Sequence, residues 1–143
     1  MVVRTSSSVE LPVPAERVVP WVDDLSRYPQ WMPLVHSARL VGDGTWDVEL
    51  RATVGVFARS KRLRMRRTAA TPDRIVFERD EDDGRVHAPW TLEVTIAGDA
   101  RSCTVAMDMT YGGSLWTAGV LDRVLAHHID LGKQGLARVV QGA

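Results

Sequence analysis

From residue 45 to residue 111 this chain alternates apolar and polar positions, and from residue 114 that alternation gives way to a longer period. Trp46, Val48, Leu50, Ala52 and Val54 interleave with Thr45, Asp47, Glu49, Arg51 and Thr53, the pattern of a strand with one buried face. Leu63, Met65, Arg67 and Ala69 share one face of the next strand, with Arg62, Arg64, Arg66 and Thr68 on the other. Ile75 and Phe77 begin another strand after the Thr71-Pro72-Asp73 turn, and Asp82-Asp83-Gly84 reads as the close of the following hairpin. Two more rows follow, Trp90-Leu92-Val94-Ile96 and Cys103-Val105-Met107-Met109-Tyr111. The Gly42-Asp43-Gly44 turn signal adds a strand over residues 34–41. Together with a first strand over residues 2–11, seven antiparallel strands are predicted.

Residues 114–141 have helical spacing instead. About 28 residues at about 1.5 Å each make a rod of about 40 Å, with Ser114 as its N-cap after Gly112-Gly113. One face carries Thr117, Leu121, Val124, Leu125, His128, Gly132, Gly135 and Val139. Near the other end, the first strand runs into Pro14, which suits the first turn of a helix. Val18, Val19, Trp21, Val22 and Leu25 then give helical spacing, with Pro20 predicting a bend or an early stop. Residues 26–32 make a second short helical piece between Pro29 and Pro33.

The arc Val9-Glu10-Leu11-Pro12-Val13-Pro14 through Arg27-Tyr28-Pro29-Gln30-Trp31-Met32-Pro33 resembles the start of the START-like, polyketide-cyclase/dehydrase and lipid-transport superfamily. The resemblance extends over residues 1–143 as a single domain. It implies an α+β helix-grip fold: a curved seven-stranded antiparallel sheet wrapped around a long C-terminal helix, with two short helices between strands 1 and 2. It also implies an apolar ligand held between sheet and helix, and no cofactor.

Composition bounds the partners. The 143 residues carry 18 Lys and Arg against 18 Asp and Glu, so no global field recruits nucleic acid or an anionic membrane. The basic run Arg59, Lys61, Arg62, Arg64, Arg66 and Arg67 has no interleaved aromatics, and most of its side chains read as a solvated outer face balanced by Asp80–Asp83. No apolar run approaches the roughly 20 residues of a membrane span, and the N-terminal residues lack a signal-peptide core. The single cysteine, Cys103, fits a reducing cytoplasm. His36, His87, His127 and His128 fall into no metal-ligand spacing. A cytoplasmic monomer or homodimer without bound metal is expected.

Three residues are candidates for chemistry. His128 lies mid-face on the long helix beside Gly132 and Gly135. A helical glycine costs about 1 kcal/mol relative to alanine, so two on one face point to open volume or to close backbone approach. His128 therefore reads either as a hydrogen-bonded core histidine or as a residue lining a ligand space. Arg67 shares the inward face of its strand, where a guanidinium needs a partner. One reading pairs it with an acidic group near Arg79. The other, implied by resemblance to the aromatase/cyclase branch, makes it a cation holding poly-β-ketone carbonyls and stabilising the enolate of aldol closure. Tyr111 is the third, as an alternative proton carrier to His128. Against that branch, Val35 stands where a tyrosine is expected and Met65 where a small hydroxylated residue is.

Tyr28, Trp31, Val35, Leu50, Met65, Phe77, Trp90, Met107, Met109, Leu121, Leu125, Gly132 and Gly135 are the expected walls of the ligand space. The expected function is binding of a lipid, quinone, isoprenoid or polyketide-like molecule, with a polyketide cyclase/dehydratase as the alternative.

Overall fold

Strands β1 (Val2–Leu11) and β2 (Val35–Gly42) lie at opposite edges of one sheet, so the residues between them must carry the chain across it. The computed structural model describes residues 2–54, 56–112 and 118–142, without the side chains of residues 54, 57 and 118–121. The crossing is made by helix α1 (Ala15–Val22) and a 3-10 helix (Leu25–Gln30). Pro14 stands at the N-cap of α1, where its missing N–H costs nothing. Pro20 lies inside α1, and the helix ends two residues later. The Asp24 side chain then caps the 3-10 helix by accepting from the Ser26 N–H at 2.9 Å.

From β2 the chain meanders through β3 (Thr45–Val54), β4 (Phe57–Thr71), β5 (Arg74–Arg79), β6 (Trp90–Gly98) and β7 (Cys103–Gly112). The sheet order is β1-β7-β6-β5-β4-β3-β2, antiparallel throughout. Gly44, with φ of 64°, makes the β2–β3 turn that a side chain would strain. The β5–β6 hairpin that Asp82-Asp83-Gly84 signals closes through a longer loop over residues 80–89. Arg79 holds this loop by donating to the Ala88 carbonyl at 3.1 Å. A register shift between Arg67 and Ala69 interrupts the β4–β5 ladder.

Helix α2 (Ala118–Gly142) lies across the inner face of the sheet against β1 and β3, and touches α1. The Ser114 cap and the positions of Trp116 and Thr117 fall outside the described residues. One continuous core joins the inner strand rows to α2 through Val124, Leu125, Ile129, Leu136 and Val140. Apolar rows of period two on the strands, facing a period-3.6 stripe on one helix, leave this packing as the way to bury both.

Candidate functional site

The inner face has two ends of different character. At the first, where the 3-10 helix crosses, an aromatic cluster is fully hydrogen-bonded. The Tyr28 hydroxyl donates to the Val22 carbonyl at 2.7 Å, and the Trp31 indole to the Trp21 carbonyl at 2.9 Å. Trp46 donates to the Ser26 hydroxyl at 3.0 Å. Tyr28 meets Trp31 and Phe77 at ring-centroid distances of 4.5 and 5.9 Å. Burial, with a smaller push from Asp23, raises the Tyr28 hydroxyl well above its ordinary pKa, so it stays a donor.

Arg67 belongs to this end. Its Nη1 donates to the Asp23 carbonyl at 2.6 Å, and its guanidinium lies 5.7 Å from the centre of the Trp46 ring. A cation on a carbonyl of the α1 C-cap residue satisfies an orphan acceptor and complements the helix dipole. Burial raises the Asp23 carboxyl, and the Arg67 charge partly opposes that rise.

At the opposite end, the His128 ring is buried, with 3% of the residue exposed. Its Nε2 accepts the Thr53 backbone N–H at 3.2 Å. That contact uses the ring's lone pair and leaves the proton on Nδ1, a buried donor without a partner among the described residues. Burial, then the neighbouring His127, lowers the His128 pKa, so the ring is neutral at pH 7. The strand separates the two ends. Arg67 N–H bonds the Gly44 carbonyl, whereas His128 meets Thr53, and the intervening stretch of β3 spans roughly 30 Å.

Tyr111 is fully buried, with its ring 4.2 Å from that of Trp90 and 5.7 Å from the Lys61 ammonium. The Trp90 indole N–H is another buried donor without a partner among the described residues. Lys61 pairs with Leu50 across the β3–β4 ladder, and its contact with a fully buried ring puts the ammonium on the inner side. Lys61 is therefore one of the residues of the basic run that do not sit on the outer face. Its parity with Leu63 and Met65 already carried that signal. Arg79 and Glu81 stand beside it: Glu81 Oε1 accepts from Arg79 Nε at 3.0 Å and from the Arg64 N–H at 3.0 Å. The Asp80–Asp83 segment is thus only partly a solvated turn. Arg79 also approaches His87 Nδ1 at 3.3 Å.

The expected wall residues Tyr28, Trp31, Val35, Leu50, Met65, Phe77, Trp90, Met107, Met109 and Leu125 are all buried in the shared core, and the side chain of Leu121 is not described. Gly132 and Gly135 face the 3-10 helix end. A Cβ at Gly135 would overlap the Trp31 carbonyl oxygen, and one at Gly132 would touch Met32 Cγ at 3.4 Å. Of the two meanings open for Gly135, the geometry is that of close backbone approach. A separate apolar groove of about 760 Å³ opens outside the core, between α1 and the β4–β5 and β6–β7 turns. Among the described residues no cluster of three or more His, Cys, Asp or Glu side chains could hold a metal ion. No described helix is long and apolar enough to cross a membrane.

A seven-stranded antiparallel sheet gripping one long C-terminal helix defines a helix-grip domain of the START-like class. Residues 2–141 match the model of the family described as polyketide cyclase / dehydrase and lipid transport, and the chain belongs to that family. A START superfamily protein from Mycobacterium smegmatis superposes with a TM-score of 0.78 at 15% identity, with 97% of each chain covered. The Zhui aromatase/cyclase from Streptomyces sp. R1128 superposes with a TM-score of 0.74 at 14% identity, covering 99% of this chain and 94% of that one. A protein from Thermus thermophilus gives 0.73 at 15% identity, with 98% of each chain covered. At these identities the likeness is one of fold. No curated protein sequence matches.

Proposed function

We propose that this chain binds an apolar small molecule bearing an oxygen acceptor, held between the inner sheet face and α2. Lipids, quinones, isoprenoids and polyketide-like molecules with a carbonyl or hydroxyl have this character. The observation that carries the reading is the His128 Nδ1–H, buried, neutral and without an acceptor among the described residues. A buried donor left unmade costs about 1–3 kcal/mol, and an oxygen on a bound ligand recovers it. Leu125, one turn before His128 on α2, and the buried Leu50 and Ala52 of β3 beside Thr53 suit an apolar body.

Two contacts favour binding over ring closure. The His128 lone pair already accepts the Thr53 N–H, so the ring is a donor and not a ready base. The Arg67 guanidinium is engaged by the Asp23 carbonyl, roughly 30 Å of strand from His128. One small substrate does not reach both.

The test compares 2-tridecanone with tridecane, which differs by lacking the carbonyl, by competition against a fluorescent apolar probe. The wild type should prefer the ketone about fivefold or more, and His128→Leu, checked for folding by thermal denaturation, should lose that preference. Equal binding of ketone and alkane by the wild type contradicts the reading.

A further inference from the structure

We infer that the ligand carries a carboxylate, seated on Lys61 and the Trp90 indole N–H beside the Tyr111 ring on the inner face. The inference rests on the binding reading above and narrows it to apolar carboxylic acids. Lys61 and Trp90 both border the Tyr111 ring, the ammonium 5.7 Å and the indole ring 4.2 Å from its centre. Trp90 is 4% exposed and its N–H has no acceptor among the described residues. Lys61 makes no ion pair among the described residues. The nearby carboxylate, Glu81, is occupied by Arg79 and the Arg64 N–H.

A half-buried ammonium beside a paired guanidinium, with an indole donor on the same aromatic ring, is one anion short. Burial first, then the Arg79 charge, already lowers the Lys61 pKa, and Glu81 only partly opposes this. A carboxylate arriving at Nζ supplies the missing opposite charge, and its second oxygen takes the indole N–H. A phosphate would fit the charge, but a single lysine and a single indole give it two of its many acceptor sites; a carboxylate is matched by them. The apolar tail then runs along the buried Leu50 and Ala52 of β3. Lys61 and His128 hold register positions at Leu50 and Thr53 of β3, roughly 10 Å apart along the strand. An oxygen that far along the tail would reach the His128 donor.

The experiment is isothermal titration with dodecanoic acid and with methyl dodecanoate, both below micellar concentration. The ester keeps the tail and removes the charge. The wild type should bind the acid about tenfold or more tighter than the ester. Lys61→Met should erase that preference and Lys61→Arg should retain it. Trp90→Phe, which removes the indole donor alone, should weaken the acid severalfold. Equal affinities in the wild type, or a preference that survives Lys61→Met, overturn the carboxylate assignment and leave the apolar-binding reading standing. Binding of neither compound overturns both.

Discussion

The backbone of Trp31 and the helical residue Gly135 meet with no room for a side chain between them: a Cβ on Gly135 would overlap the Trp31 carbonyl oxygen. This contact locks the C-terminal half of α2 onto the 3-10 helix, and it makes two neighbouring glycines unequal. Gly135→Ala forces backbone against side chain, so it should destabilise the protein by about 1–3 kcal/mol, despite alanine's better helix propensity. At Gly132 the new methyl meets the flexible Met32 side chain at 3.4 Å, and Gly132→Ala should stay within about 1 kcal/mol of the wild type. Urea denaturation of the two variants measures the contrast. Equal effects would mean that the Trp31 approach is not what Gly135 serves.

Arg67 should act on stability rather than on ligand. Arg67→Met removes the 2.6 Å bond to the Asp23 carbonyl and the contact with Trp46, at a cost of about 1.5–3 kcal/mol. It should leave affinity for an apolar ketone unchanged. The Asp23 carboxyl, already raised by burial and held back by Arg67, should rise further in the variant, which a carbon-detected NMR titration follows.

The pH dependence of stability follows from His128. An unfolded histidine protonates near 6.5, and burial lowers the folded value below that. Below pH 6.5 the unfolded chain therefore binds a proton that the folded chain does not. Stability should fall as the pH drops from about 7 toward the folded pKa, and level off beneath it. Relative to His128→Leu, the wild type should show this extra slope, of less than one proton, in denaturation midpoints between about pH 7.5 and 5. A wild-type slope equal to that of the variant would mean that the ring is not desolvated.

Much of the fold was legible because alternation and helical period are local. Trp46 through Val54 and Cys103 through Tyr111 declare strands with no knowledge of their partners, and Pro20 and Pro29 mark where the crossing helices must stay short. The site was less legible, because its features depend on what the chain meets after folding. Arg67 faces inward as its alternation requires, yet its partner is a carbonyl at the end of α1, which spacing along β4 does not reveal. Gly135 permits either a hollow or a contact, and only the Trp31 backbone decides. Lys61 was hidden among five arginines, although its parity with Leu63 and Met65 placed it inward. Glu81, within an acidic loop run, turns back onto Arg79 and the Arg64 N–H, a choice made by tertiary structure alone.

The most direct test of the central claim is a long-range proton–nitrogen NMR correlation of the His128 ring at about pH 7, before and after adding 2-tridecanone. The free protein should show Nδ1 protonated and Nε2 bare, as the Thr53 contact requires. Added ketone should then move the Nδ1 proton downfield as it gains an acceptor. A ring protonated on Nε2 in the free protein, or an Nδ1 proton that does not move while the ketone binds, would contradict the account.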